Sequence, residues 1–212
     1  MRKSLFAALL VTLLAIPAMA QTGQPASQAP AAPAAQAPTA PAAQAPAAPQ
    51  GPVPVSTGLK NAFTSNRNYL AKSAEKMAEA DYGMRPGTQT EVRTFGNLIG
   101  HVANANYSYC SSAKGEKNPN QGNDFEKLTA KADLVKALND ALTYCDGVYA
   151  AQTDASLMET VQLTLPNGRQ VQFIRIARLM QNVAHNNEHY GNLVTYFRIK
   201  DMVPPSSEPR TP

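Results

Sequence analysis

The chain has 212 residues, 43% hydrophobic and only 16% charged, with a formal net charge of +4. That length suits one domain with accessory segments and excludes a multidomain machine. Without Arg2 and Lys3 the balance falls to 17 basic against 15 acidic side chains. No Lys/Arg cluster interleaves with aromatic residues, which speaks against a nucleic-acid partner.

Residues 1–20 read as a secretory signal peptide. Arg2 and Lys3 form the positive start, Leu5 to Ile16 the apolar stretch, and Ala18-Met19-Ala20 the cleavage site before Gln21. The apolar run falls short of the about 20 residues that cross a bilayer, so no stable membrane span is expected after cleavage. An exported chain, periplasmic or extracellular, is the expectation. Residues 21–54 are almost entirely Ala, Pro and Gln, with PAAQAP at 33–38 and again at 41–46. Such a segment has no apolar face to bury and its prolines favour extended polyproline II, so it reads as a disordered linker.

Only three prolines fall within residues 55–203, and four segments there repeat apolar residues with a helical period. The first carries Leu59, Phe63, Leu70, Ala74 and Met77 and is expected to end near Asp81, before the break Tyr82 to Gly87. Thr88 and Glu91 form a candidate capping box for the second helix. Its stripe is Phe95, Leu98, Ile99 and Val102, and it is expected to run to about Ser112. Gly115 to Asn123 reads as a polar connection. The third helix carries Leu128, Val135, Leu142 and Tyr149 at seven-residue steps.

Val161 to Leu165 and Gln170 to Phe173 flank Pro166-Asn167-Gly168, where Asn-Gly suits a tight primed turn. A small hairpin and a structured loop are both consistent with that stretch. The fourth helix is expected from about Phe173 to Lys200. Four amphipathic helices imply an all-α fold, a four-helix bundle spanning residues 55–205 with a disordered tail at 206–212.

The chain has three histidines. His185 and His189 are four apart in the fourth helix, which separates them by about 40° around the axis and about 6 Å along it. Two imidazoles so placed can chelate one ion. His101 precedes Val102 of the second helix's apolar stripe and can face the interior, where another helix could bring the pair. Each also has a plainer reading, His101 as a hydrogen-bonded core side chain and the pair as a solvated face. The joint placement of all three favours a tri-histidine metal site, because bundle cores assemble ligands from facing helices.

The stretch from Arg93 through His101 to Asn106 resembles the first-histidine helix of the DinB/YfiT-like superfamily. His185-Asn-Asn-Glu-His189-Tyr-Gly, continuing to Arg198, is similar to that family's closing helix, and Val203-Pro204-Pro205 resembles an ending of one branch. The likeness spans about residues 56–205. It implies an up-down-down-up bundle in which His101, His185 and His189 hold a divalent metal ion, zinc or nickel before iron or manganese. Characterised relatives are metal-dependent thiol S-transferases or isomerases, and the implied substrate is a small molecule of the low-molecular-weight thiol type. Asn192 departs from the glutamine that many relatives carry.

Three neutral histidines leave a coordination position open, which suits thiol activation or hydrolysis. Asn104 and Ser108 share the side of His101. Glu188 flanks the histidine pair but does not follow the first histidine as the HExxH base does, so a catalytic role for it is a guess. Tyr196 is read as core. Cys110 and Cys145 lie near the ends of the second and third helices. The parallel arrangement that the resemblance implies would bring them to one height, where a disulfide or two buried thiols could form. Two functions stand open: an exported metal-dependent thiol transferase or hydrolase, and a non-catalytic metal-binding or interaction module tethered by the linker. A homodimer is compatible with either.

Overall fold

The computed structural model describes residues 51–120 and 122–209. The expected signal segment, the linker up to residue 50 and residues 210–212 lie outside them. The helix α1 spans Val55–Lys76 and buries Phe63, Leu70 and Ala74, the residues of its apolar stripe. No residue of its own caps its first turn. Asp154 does so, accepting from Val55 N at 3.3 Å and Ser56 N at 2.8 Å. The helix stops at Lys76, short of Asp81, and a 3-10 turn at Glu79–Asp81 follows.

The helix α2 spans Phe95–Lys114, so Thr88 and Glu91 do not cap it. Its capping box is Thr94 with Asn97, where the Thr94 hydroxyl accepts from Asn97 N at 3.1 Å. The start is set by burial. Thr88 and Glu91 are exposed, whereas Phe95 is the first fully buried residue of the stripe. Phe95 N and Gly96 N also bond back to Met84 O and Tyr82 O, which closes the preceding loop. Gly115, at φ 76°, ends the helix two residues beyond the expected Ser112.

A 3-10 turn at Phe125–Lys127 precedes α3, Lys131–Ala150. The one-turn helix α4, Asp154–Leu157, carries the Asp154 that caps α1. The strands β1 (Thr160–Thr164) and β2 (Gln170–Ile174) form an antiparallel hairpin, Thr160 facing Ile174 and Thr164 facing Gln170. Its connection is not a two-residue primed turn. Leu165 and Arg169 pair, Gly168 N bonds to Leu165 O at 2.8 Å, and Gly168 takes φ 79°. Pro166 and Asn167 thus occupy the turn, with glycine as the left-handed third residue. The last helix, α5, spans Arg175–Ile199.

Side-chain pairs fix the directions of the four long helices. Phe63 of α1 stacks on Tyr149 near the end of α3, ring centroids 4.2 Å apart, so α1 and α3 are antiparallel. Asn66 reaches Val183 O while Tyr69 stacks on Tyr190, so α1 and α5 run parallel. A disulfide joins Cys110 to Cys145 with Cα atoms 5.5 Å apart, which makes α2 parallel to α3. The bundle is up-down-down-up, with α1 and α2 each packed against both α3 and α5. Packing continues past residue 205: a 3-10 turn covers Pro205–Ser207, and Glu208 pairs with Lys76 at 2.5 Å. Among the described residues no helix is long and apolar enough to cross a membrane.

Candidate metal centre

His101 sits two turns into α2, and His185 and His189 lie mid-way along α5. Because these helices run antiparallel, the three rings meet at one level. His185 Nε2 lies 3.2 Å from His101 Nε2 and 3.0 Å from His189 Nε2. One ligand nitrogen from each ring falls within 4.8 Å of the others. An ion about 2.1 Å from two nitrogens holds them about 3.0 Å apart at a right angle and about 3.4 Å apart at the tetrahedral angle. The two close pairs match that spacing. The fold therefore brings together the three histidines that the spacing singles out.

What surrounds the rings also suits ligation. His101 Nδ1 lies 2.8 Å from Glu126 Oε1, so the carboxylate accepts its proton and leaves the Nε2 lone pair facing the centre. Burial raises the Glu126 pKa, but hydrogen bonds from Arg93 and His101 outweigh it and hold the carboxyl below its ordinary value. Arg93 Nε donates to Glu126 at 2.8 Å. Asn192 Nδ2 lies 3.2 Å from His189 Nδ1 and, as placed, donates to it. Burial, then the nearby His189 and His101, pushes the His185 pKa down to about 4. Burial and His101 also lower that of His189. Neutral imidazole, the ligating form, is thus the state these surroundings favour at His185 and His189.

Glu126 went unseen in the sequence. It belongs to the 3-10 turn laid across α2 at Gly100, where an added Cβ would meet Phe125 O at 2.3 Å. The only local signal was that glycine, sitting inside a helix where it costs about 1 kcal/mol against alanine. Glu188, in contrast, is exposed and makes no hydrogen bond or ion pair among the described residues. Asn104 turns from the centre to hold the neighbouring loop: its oxygen accepts from Asn120 Nδ2 at 3.0 Å and Phe125 N at 3.3 Å. Tyr196 is buried, as expected of a core residue, and its hydroxyl donates to Arg93 O.

A cavity of about 290 Å³ beside the triad is lined by His189, Asn192, Arg93 and Tyr196 among others. A second, of about 570 Å³, is lined by residues of α2, the hairpin and Arg178; none of the histidines lines it, but the ring of its lining residue Tyr109 has its centroid 5.5 Å from that of His185.

The model of the DinB superfamily matches residues 62–193, well over half of the chain and including all three histidines. No curated protein matches the chain significantly. Among solved structures, a DinB-like protein from Bacillus subtilis is 21% identical at a TM-score of 0.54, the match covering 69% of this chain and 94% of that one. A DinB-like protein from Bacillus cereus is 16% identical at a TM-score of 0.55, over 70% and 94% respectively. At such identities the likeness speaks for the fold. Taken with the family match across the histidine-bearing helices, it establishes that the chain belongs to the DinB superfamily.

Proposed function

We propose that this protein binds a divalent metal ion, zinc or nickel, through His101, His185 and His189, and uses it in thiol transfer. The carrying observation is the wiring of the rings. Their Nε2 atoms converge while Glu126 and Asn192 occupy the Nδ1 atoms of His101 and His189. An isolated core histidine needs no such convergence. A bound ion would supply Lewis acidity, holding a small thiol as its thiolate at neutral pH. The chain's part is to present His185 and His189 as neutral imidazoles and to set the tautomer of His101 through Glu126. The cavity of about 290 Å³ that His189 lines gives a small molecule room beside the triad.

We also propose that the protein works outside the cytoplasm. Residues 1–20 support that reading by their pattern, and the Cys110–Cys145 disulfide suits an oxidising compartment. The test is metal content by elemental mass spectrometry on untagged protein starting at Gln21, beside His101→Ala, His185→Ala and His189→Ala. Near-stoichiometric zinc or nickel, lost in each variant, is the expected result. No metal after reconstitution would sink the reading. Tight metal with no transfer between small thiols and electrophiles would leave a non-catalytic metal-binding module.

A further inference from the structure

Among the described residues, two buried side-chain polar atoms lack a hydrogen-bond partner: His185 Nδ1 and Arg178 Nε. They belong to one stripe of α5. Seven residues separate them, so they share an azimuth and stand about 10 Å apart along the axis. Arg178 lines the cavity of about 570 Å³ that Tyr109 also lines. Its guanidinium is held over the Phe173 ring, 4.7 Å from the centroid, and its Nη1 donates to Gln181 at 3.0 Å. Among the described residues no carboxylate pairs with it. A guanidinium on a cavity wall with no carboxylate partner can receive an anion there through its other N–H groups.

The other walls suit the rest of such a ligand. Leu163, Leu165 and Pro166 from the hairpin form an apolar side, and Ser108 stands across from them on α2. Lys117 adds a second positive charge. Glu116 is the one carboxylate on the lining, and it is already engaged by Lys114 at 2.9 Å and by the Tyr144 hydroxyl. The cavity therefore combines the cations Arg178 and Lys117 with an apolar wall, and its lining residue Tyr109 lies against the His185 ring.

We infer that this cavity binds the carboxylate of a small organic acid, with Arg178 as its anchor and the rest of the molecule reaching toward the triad. The last part rests on the thiol-transfer reading above; the carboxylate site itself does not. It supplies what a metal centre alone lacks, a way to choose among thiols by the group at their far end. Arg178 is a binding residue here and takes no part in proton transfer.

The test uses the protein from Gln21 onward and has two arms. In the metal-free protein, hexanoate and hexanol are titrated by calorimetry or by chemical-shift changes. Hexanoate should bind at least tenfold more tightly than hexanol, and Arg178→Gln should erase the difference. Ser108→Leu, which narrows the cavity from the opposite wall without touching Arg178, should weaken hexanoate too and guards against a folding defect in the first variant. Equal binding of the two probes, or hexanoate binding untouched by both substitutions, would overturn the site. In the metal-loaded protein, mercaptohexanoate should bind at least tenfold more tightly than hexanethiol in the wild type only. Should the protein take up no metal while hexanoate still depends on Arg178, the carboxylate site stands and the metal reading falls by itself.

Discussion

Glu126 reaches the Nδ1 of His101 from a turn 25 residues further along the chain, and Asn192 reaches that of His189 from the next turn of the same helix. The three candidate ligands were legible because histidine is scarce here and a four-residue step on a helix is a chelating geometry. Their supports were not, since a glutamate in a polar connection looks like any solvated carboxylate. Glu126 and Glu188 now separate sharply. The first is hydrogen-bonded to a ligand ring; the second is exposed. Glu126→Ala should weaken metal binding about 10- to 100-fold, the usual cost of losing a partner that orients a ligand. Glu188→Ala should leave it within about threefold. Competition against a chromophoric chelator reads both, and equal effects would show that Glu126 does not hold the ring.

At the level of elements, the close approach of one turn to one helix places that carboxylate. At Gly100 a Cβ would lie 2.3 Å from Phe125 O and 2.5 Å from its carbonyl carbon, both backbone atoms that cannot swing aside. Gly100→Ala should therefore push the Phe125–Lys127 turn off α2. Overpacking costs about 1–3 kcal/mol, against a gain of about 1 kcal/mol in helix propensity. We expect a net loss of at most about 2 kcal/mol, a fall of a few degrees in melting temperature, and a loss of metal affinity comparable to that of Glu126→Ala, measured by the same competition. Undiminished affinity would mean that the turn can move without taking Glu126 with it. A second device sets the register of α2 against α5. Asn106 donates to Asn186 at 2.9 Å and accepts from Asn182 at 3.0 Å, with all three amides buried one turn from the triad. Tyr149 extends this network to α3 through Asn182. Buried amides that satisfy one another specify a unique alignment, because a slip would leave them unpaired. The sequence showed these asparagines only as polar interruptions of apolar stripes.

Across the whole molecule, parallel α2 and α3 require a long connection from one end of the bundle to the other, and the disulfide ties that pair. With the cysteines 35 positions apart in the chain, the chain-entropy account puts its stabilisation at about 4 kcal/mol. Reduction, or the double change Cys110→Ser and Cys145→Ser, should lower the melting temperature by roughly 10 °C in calorimetry. No shift on reduction would mean that the bond is absent or that packing alone carries the junction.

By itself the sequence showed the four long helices, the three histidines that the fold brings together and the compositional change after the Ala/Pro-rich N-terminal region, because periodicity and composition are local properties. It misplaced the start of α2 and the form of the hairpin turn, where burial of Phe95 and the pairing of Leu165 with Arg169 overrode nearby capping and turn signals. Only the tertiary structure decided which carboxylate serves the triad, where the cavities open and that Arg178 stands unpaired beside one of them. Those facts depend on side chains from distant segments meeting in a shared, water-poor groove. No spacing along a single helix encodes such a meeting.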